Sequence, residues 1–372
     1  MNHSAKPVLL SAYRFFPSLG GLEQQLWLIA HELISRGFQV EVLTEKHEPN
    51  QKSMELFDGI KVIRLPFVKN RHILNQIYLA GLIAIFLWRN RGRYQFALVR
   101  AALTLYSLVF GLLKRLKILA YPTWVSADTG GDNDEVIQLR SWPMANYLIW
   151  AAKGNSIVNA ICFDNQLHFL QLGFLQKQIS TINNGVKIET YARNHYPSKI
   201  RRFVYSGRLI KQKGIFELLA AFALCQQQVP ACFLSIVGDG PEMSNLIKLV
   251  ENLGLKKQVK FWGKIESNKM AEIYAQHDCL VLPSYSEAFP MSVAEAIVAK
   301  RLVIATDVGE IRRFYGKQVI YCRQRDVEDL SAQMIAAVQN YQSNQLNYDA
   351  FIEKLDIRQV VDRILATLQV NR

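Results

Sequence analysis

Two glutamates spaced eight residues apart lie in the C-terminal half of the chain. Glu287 belongs to the segment PSYSEAFP, which follows the apolar run CLVLP. Glu295 lies on the helix that is expected after this segment. Pro290 suits the first position of that helix, because its missing N–H would be unpaired there. The free amides near Phe289 and Met291 could meet a diphosphate, and Glu295 could accept hydrogen bonds from vicinal hydroxyls such as those of ribose. The alternative is that both glutamates face solvent.

A basic loop precedes these acids along the chain. Gly207 and Arg208 follow the apolar run FVYS, and Lys213 lies five residues further on, beside Gly214. Glycine lets backbone amides approach an anion, arginine grips phosphate oxygens at two points, and lysine adds a point charge. The pattern predicts a phosphate site at a strand-to-helix turn, with an ordinary exposed turn as the alternative. The GDGP turn at Gly238–Pro241 lacks the third glycine of a dinucleotide fingerprint and is interpreted as a tight turn.

The elements around these loops predict an α/β fold with parallel sheets. After FVYS, the apolar runs CFLSIVG, VKFWG, CLVLP and LVIAT alternate with helical segments. Regular alternation of strand and helix favours a parallel sheet covered by helices. The helices are expected near 215–228, 242–252, 268–276, 291–300, 327–340 and 357–370.

The N-terminal half begins with a unit of the same kind. Val8–Ala12, a glycine loop, the helical segment LEQQLWLIAHELIS and the run FQVEVLTEK predict strand, loop, helix and strand. We predict an N-terminal domain over 1–185 and a C-terminal domain over 186–354, with the tail 355–372 packing back on the first. The polar stretch Asn183–Arg202 is the candidate linker. In open parallel sheets, ligands lie beyond the carboxyl ends of the strands, which here would border an interdomain cleft.

Composition bounds the class of protein. The chain has 372 residues, enough for two or three domains of about 150 residues, and it is too apolar for a disordered chain. Its formal charge of +13 favours an anionic partner: nucleic acid, an acidic membrane surface or a phosphorylated ligand. Five cysteines without a CxxC pair indicate neither a disulfide framework nor a zinc site. Buried thiols in a reducing compartment are expected, and with no signal peptide or spanning helix predicted, the expected location is the cytoplasm.

The stretch 61–120 holds eleven basic residues and no acidic one. These bases flank two apolar segments, Ile73–Trp88 and Ala101–Leu113. One interpretation is a pair of core helices with solvated basic ends. The other is a peripheral membrane patch, in which apolar residues enter the interface and the bases meet anionic headgroups.

Several motifs, taken in order, resemble those of the retaining glycosyltransferases of family 4. They are SGRLIKQKG, VGDGP, FWG, SEAFPMSVAEA and VIATDVGEI, preceded by the glycine loop YRFFPSLGGLEQ and by ISTINNGVK before the linker. The resemblance covers most of the chain and is thinnest between Asp58 and Ser180. It implies the GT-B fold, in which two Rossmann-like α/β domains face each other across a cleft.

The resemblance also implies roles for individual residues. Arg208 and Lys213 would hold the diphosphate of a nucleotide-sugar donor, Glu287 would contact the transferred sugar near its reacting carbon, and Glu295 would bind the ribose hydroxyls. We therefore assign Glu287, Arg208 and Lys213 as the catalytic residues. The other donor-binding residues would be Gly20, Gly21, Gly207, Gly240, Trp262, Phe289, Pro290, Met291 and Ser292.

A second candidate set lies in an acidic, glycine-rich loop of the N-terminal half. Its residues could bind the sugar or the acceptor, or could form a surface turn; they are Asp128, Thr129, Gly130 and Asp132. Three positions depart from the family pattern. Ala288 replaces a common glycine, Lys187 stands where aspartate is frequent, and Glu310 occupies the second position of a Gly-Gly loop.

The implied reaction is transfer of a sugar, with retention, from a UDP-sugar to a hydroxyl of a glycan or lipid-linked glycan. Arg208 and Lys213 could stabilise the leaving diphosphate in place of a metal ion, so neither a metal nor a cofactor is expected. The alternatives are a nucleotide-sugar epimerase of the same fold and a non-catalytic sugar-binding protein. Nucleic acid is not an expected partner, because the bases lie beside apolar runs rather than among stacking aromatic residues.

Overall fold

The computed structural model describes two compact units. The N-terminal unit comprises Met1–Asn183 and Ile357–Arg372, and the C-terminal unit comprises Asn184–Asp356. Each boundary lies two residues from the expected position. The described residues are 6–12, 15, 21–46, 48, 50–66, 82, 85–86, 88–90, 92–100, 117–121, 156–159, 163–171, 173–193, 195–287, 289–343 and 347–370.

The described N-terminal unit contains an eight-stranded sheet in the order β3-β4-β2-β1-β5-β6-β7-β8. Its neighbouring strands are parallel except for the hairpin of β3 and β4, which turns at Asp58 and Gly59. The strands are β1 Val8–Ser11, β2 Val40–Glu45, β3 Met54–Phe57, β4 Ile60–Leu65, β5 Phe96–Arg100, β6 Lys117–Tyr121, β7 Ser156–Asn159 and β8 Ile179–Ser180. The helices with described bounds are α1 Gly21–Ser35 and α2 Phe163–Gln171.

The predicted strand–loop–helix–strand unit at the N-terminus is confirmed. β1 is buried along its whole length and pairs in parallel with β2 on one side and β5 on the other. Continuous apolar residues suit such a central strand, because both of its faces are buried. Leu26, Ile29 and Leu33 of α1 recur at helical spacing and are buried in the core of this unit.

The last helix of the chain, α11 Ile357–Thr367, belongs to the N-terminal unit. Val361 and Ile364 lie in the same buried cluster as α1. Arg36, which follows α1, donates hydrogen bonds to the Asp362 carboxylate and, over 2.8 Å, to the carbonyl of Arg358. The chain therefore leaves the N-terminal unit once and returns to it at its end.

The C-terminal unit contains a fully parallel six-stranded sheet in the order β11-β10-β9-β12-β13-β14. The predicted alternation is confirmed for the five expected strands, whereas the sixth strand, Ile320–Cys322, was not predicted. The strands are β9 Arg202–Ser206, β10 Phe233–Val237, β11 Val259–Gly263, β12 Cys279–Leu282, β13 Leu302–Thr306 and β14 Ile320–Cys322. The helices are α3 Ile188–Tyr191, α4 Ile215–Gln228, α5 Met243–Asn252, α6 Met270–Gln276, α7 Met291–Val298, α8 Ile311–Tyr315, α9 Val327–Asn340 and α10 Asp349–Ile352.

The chain passes between the units at Asn183 and Asn184, at the start of the predicted linker Asn183–Arg202, but the rest of that stretch belongs to the C-terminal unit. The Val186 amide donates to the Leu355 carbonyl over 2.7 Å, Tyr191 ends α3 as a buried residue, and Ile200 is buried. Arg193 donates to the Ala271 carbonyl over 2.8 Å. The polar composition resembles a linker, but its few apolar side chains anchor the segment in the C-terminal unit.

Two further expectations concern cysteine and membrane spans. Cys225, Cys232, Cys279 and Cys322 are free and buried, as predicted, while Cys162 lies outside the described residues. Across the part of the chain that the structure describes, no helix combines the length and apolarity needed to cross a bilayer.

Candidate active site

The order of the C-terminal sheet places the candidate site. The chain moves outward from β9 through β10 to β11, and then returns to the other side of β9 with β12. In sheets of this kind, ligands bind beyond the carboxyl ends of the strands, at the point where the strand order reverses. The loops that follow β9 and β12 flank that point, and they carry Arg208, Lys213 and Glu287.

Gly214 brings the basic loop against the end of β12. A turn of 3-10 helix at Lys211–Lys213 leads into Gly214, which has φ +63° and precedes the first residue of α4. A Cβ atom at Gly214 would lie 2.0 Å from the carbonyl oxygen of Pro283, so no other residue fits without movement of the backbone. The close approach places Lys213 beside the loop that holds Glu287.

Lys213 and Glu287 form an ion pair across these two loops. The Lys213 Nζ lies 2.5 Å from the Glu287 Oε1, and the Ser284 hydroxyl donates to the same oxygen over 2.7 Å. The two charged side chains are only 19% and 10% exposed. Hydrogen bonds between ionised groups in such a shielded place are short and strong, so the pair fixes both side chains.

Arg208 is an exposed cation of the basic loop, as is Lys211. Its carbonyl accepts a hydrogen bond from the Tyr205 hydroxyl over 2.9 Å, which fixes the backbone of the loop. Burial raises the pKa of Tyr205 far above its usual range, so this hydroxyl stays protonated and keeps donating. Among the described residues, no carboxylate pairs with the Arg208 guanidinium. It is therefore available to an anionic ligand.

Glycines also pack the neighbouring loops against one another. A Cβ atom at Gly238 would lie 1.9 Å from the Gly207 carbonyl oxygen, and one at Gly240 would lie 2.4 Å from the Leu209 carbonyl oxygen. The Leu209 amide in turn donates to the Asp239 carbonyl over 2.9 Å. The GDGP turn, predicted as a tight turn, therefore supports the basic loop.

Gly309, in the loop after β13, approaches the loop of Glu287 in the same way. It has φ +57°, and a Cβ atom there would lie 1.7 Å from the Glu287 carbonyl oxygen. The adjacent Glu310, where the family pattern has a second glycine, has φ −90° and does not need that freedom.

Glu295 lies on α7 and is 5% exposed. Its Oε1 accepts a hydrogen bond from the Tyr191 hydroxyl and its Oε2 accepts one from the Tyr274 hydroxyl, each over 3.1 Å. Burial, and next the charge of Glu295, raise the pKa of Tyr274 well above its usual value, so this phenol remains a donor. The carboxylate is thus buried but paired on both oxygens.

The start of α7 is built on aromatic packing. Pro290 precedes the helix rather than occupying its first position, and its carbonyl accepts from the Tyr315 hydroxyl over 3.4 Å. The Phe289 ring is buried 5.0 Å from that of Phe314, so only the backbone of Phe289 can serve a ligand. Met291 and Ser292, the first residues of α7, are partly exposed.

Trp262 lies next to the end of β11, at one edge of the sheet. The Lys260 Nζ lies 3.5 Å from the centroid of its ring, a cation–π contact. The carbonyl of the adjacent Gly263 accepts from the Gly238 amide over 2.8 Å, which joins this strand end to the GDGP turn. Trp262 therefore borders the turn that supports the basic loop.

The candidate residues of the N-terminal half are placed only in part. Gly21 is the first residue of α1. Gly20, Asp128, Thr129, Gly130 and Asp132 lie outside the described residues, as does Ala288. The acidic loop also contains the Asp-x-Asp sequence Asp132-Asn133-Asp134. The sequence therefore offers a candidate metal-binding motif in this segment.

Sequence reasoning missed three residues of this site. Ser284 lies only three positions before Glu287, so a hydrogen bond between the two side chains could have been expected from the sequence. Tyr191 and Tyr274 lie 104 and 21 positions from Glu295, and no local pattern connects them to it. Both depend on how the chain folds back on itself.

Two parallel-sheet α/β units, with the second carrying this arrangement of loops, define a GT-B glycosyltransferase fold. The predicted fold is confirmed by a solved structure, that of Anabaena HepE (Alr3699) in complex with UDP and glucose. It superposes with a TM-score of 0.74 over 98% of this chain and 100% of that one, at 19% sequence identity. Residues 187–352 match the family model "Glycosyl transferases group 1". The C-terminal unit thus belongs to the group 1 glycosyltransferase family.

Curated relatives agree with this assignment. A putative teichuronic acid biosynthesis glycosyltransferase, TuaC of Bacillus subtilis, is 34% identical over 165 residues, which are 44% of this chain and 39% of that protein. The gpi3 subunit of phosphatidylinositol N-acetylglucosaminyltransferase from Schizosaccharomyces pombe is 22% identical over 354 residues, covering 92% of this chain and 75% of that protein. The stronger identity is therefore confined to less than half of each chain.

Proposed function

We propose that this protein is a retaining glycosyltransferase of family 4 that moves a hexosyl group from a UDP-sugar to a hydroxyl of a glycan or lipid-linked glycan. The observation that carries the proposal is the arrangement at the strand-order reversal of the C-terminal sheet. There Lys213 and Glu287 are held in contact, and the exposed Arg208 lies in the same basic loop. Two cations and a carboxylate at this position suit a sugar joined to a diphosphate.

The chemistry assigns a task to each residue. The bond between the anomeric carbon and the diphosphate oxygen breaks, and a bond from that carbon to the acceptor oxygen forms. The acceptor hydroxyl gives its proton to the departing phosphate. Arg208 and Lys213 stabilise the negative charge that grows on the diphosphate, and Glu287 lies beside the sugar, where positive charge develops on the ring. Because two fixed cations meet this charge, we propose that no metal is required.

The donor and acceptor classes are proposed from the relatives. The structural neighbour HepE was solved with UDP-glucose, which supports a UDP-sugar as the donor. One curated relative is named for teichuronic acid, a polymer, and the other for phosphatidylinositol, a lipid. Both names favour an acceptor that is a glycan or is attached to a lipid.

Peripheral contact with the cytoplasmic face of a membrane is part of this proposal. Ile85 and Trp88, in the first apolar segment of the basic stretch, expose about half of their surface, at 48% and 49%. Other bases are neutralised within the unit, since Lys61 and Arg93 pair with Glu41, and Arg64 pairs with Glu55. The attraction to anionic headgroups would therefore come from the remaining bases of the stretch.

The decisive assay is release of nucleotide from a panel of UDP-, GDP- and ADP-sugars in EDTA, with and without acceptor glycans. We expect release from a UDP-sugar that survives EDTA and is lost in Arg208→Ala. A requirement for added Mg²⁺ or Mn²⁺ would overturn the metal-independent step. Interconversion of the donor without release would favour an epimerase, and binding without turnover would favour a sugar-binding protein.

Membrane contact is tested separately by co-sedimentation with vesicles. Vesicles that contain anionic phospholipid should bind the protein at low salt and release it at high salt, because exposed charges are screened. Neutral vesicles are the control. Failure to bind anionic vesicles at low salt would overturn the membrane contact and leave the transferase proposal intact.

A further inference from the structure

Two tyrosines enclose the carboxylate of Glu295, and we call this pair the tyrosine clasp. Tyr191 lies at the end of α3 and Tyr274 within α6, and their rings pack edge to face with centroids 6.0 Å apart. Each hydroxyl donates to a different oxygen of Glu295, in both cases over 3.1 Å. The clasp therefore holds the carboxylate at both oxygens from two separate elements.

A buried carboxylate is costly unless hydrogen bonds compensate for its lost hydration. An apolar side chain would fill the same place on α7 without that cost, and the residues around Glu295 on this helix are indeed apolar. A tyrosine donor on each oxygen also helps to fix the plane of the carboxylate. This is the arrangement expected for a group whose orientation serves a ligand.

We propose that Tyr191 and Tyr274 are positioning residues for nucleoside recognition, holding Glu295 in the orientation in which it accepts the ribose hydroxyls of the donor. The inference rests on the proposed function, in which Glu295 contacts the ribose. It adds that two tyrosines outside the donor-binding motifs set the discrimination between a ribonucleotide and a deoxyribonucleotide. It also gives a role to the segment around Tyr191, through which the chain enters the C-terminal unit.

The test compares binding of UDP with binding of 2′-deoxy-UDP by calorimetry, together with the corresponding GDP and ADP pairs. The proteins are the wild type, Tyr191→Phe, Tyr274→Phe and Tyr348→Phe. Tyr348 is the matched control, because it is fully buried in the same unit and its hydroxyl donates over 3.2 Å to the Gln318 carbonyl rather than to Glu295. Thermal unfolding of each variant reports its stability.

We expect the wild type to prefer the ribonucleotide about tenfold, the difference that one good hydrogen bond to a charged group produces. In each clasp variant that preference should fall toward one, with ribonucleotide binding weakened and deoxyribonucleotide binding little changed. Tyr348→Phe should keep the full preference even if it lowers the thermal midpoint. A merely structural clasp would instead weaken both nucleotides equally.

Besides equal weakening of both nucleotides, three outcomes would overturn the inference. The first is an unchanged preference in both clasp variants while Glu295→Gln abolishes it, which would mean that the carboxylate acts without the tyrosines. The second is equal binding of both nucleotides by the wild type, alongside normal sugar transfer. The third is failure of the wild type to bind any nucleoside diphosphate or to turn over any donor, which would overturn the proposed function as well. Since the two tyrosines are tested separately, a folding failure in one variant leaves the other as a test.

Discussion

The ion pair between Lys213 and Glu287 makes a measurable prediction about stability. Lys213→Met and Glu287→Gln each remove one charge while keeping most of the side-chain volume, and the double variant removes both. Each single variant leaves a shielded charge without its partner, whereas the double variant does not. The effects of the two changes on the free energy of unfolding should therefore not add.

The geometry sets the size of this coupling. At the observed 2.5 Å, the attraction between the two charges is about 7 kcal/mol with an effective dielectric constant of about 20, and about 2 kcal/mol in bulk water. Side-chain exposures of 19% and 10% place the pair nearer to the first environment. After the cost of removing both charges from water, we expect a coupling energy of about 2–3 kcal/mol.

The assay is a double-mutant cycle measured by urea unfolding. Lys300 and Asp349 form the control pair, since their Nζ–Oδ1 distance is 2.8 Å but the Asp349 side chain is 68% exposed. That pair should couple by less than about 1 kcal/mol. A coupling below about 0.5 kcal/mol for Lys213 and Glu287 would refute the shielded ion pair. With saturating UDP the coupling should shrink, because the diphosphate then shares the lysine.

Three further predictions follow from the same unit. Arg208→Ala should weaken donor binding by tenfold or more in calorimetry while leaving the urea midpoint unchanged, because the side chain is exposed; a shifted midpoint would show a structural role. Gly309→Ala should lower the free energy of unfolding by at least about 2 kcal/mol. Gly263→Ala is the control, because Gly263 also has a positive φ, +66°, but no atom lies within 4 Å of a new Cβ. This control should lower the free energy of unfolding by about 1 kcal/mol. Burial lowers the pKa of His277 below 6.5. The unfolded state therefore binds more protons than the folded state, and the free energy of unfolding should fall as the pH drops below about 6.5. In His277→Asn the free energy of unfolding should depend less on pH.

The C-terminal sheet could be predicted because its signals are local. Each buried strand is a short apolar run such as CLVLP, and each is followed by a polar turn and a helix with its own period. The hairpin of β3 and β4 could also have been predicted, from the Asp-Gly pair at its turn. Asp58 and Gly59 adopt φ +48° and +78°, the left-handed conformations that an Asp-Gly turn favours.

The predicted linker was too long, because the contacts that hold most of this stretch are not local in sequence. Residues 183–202 are mostly polar, and composition alone cannot show that Tyr191 meets Glu295 or that Val186 pairs with the strand-like backbone near Asp356. Within the site, the sequence could place Arg208, Lys213 and Glu287 at one edge of the sheet, because parallel strands end at the same edge. It could not show that β12 lies beside β9. It could not show that Gly214 and Gly309 fix the distances between those loops, since each glycine contacts backbone far away in the chain.

The charges of the candidate site differ in how they are held, and the difference bears on mechanism. Lys213 and Glu287 neutralise each other, and Glu295 is paired with two phenols, so these groups are oriented before any ligand arrives. Arg208 is exposed, and its guanidinium pairs with no carboxylate in the described part of the chain. An incoming diphosphate would therefore meet Arg208 first and compete with Glu287 for Lys213. Because Lys213 cannot interact fully with both anions, binding of the diphosphate would weaken the ion pair between Lys213 and Glu287 when the sugar binds beside that carboxylate.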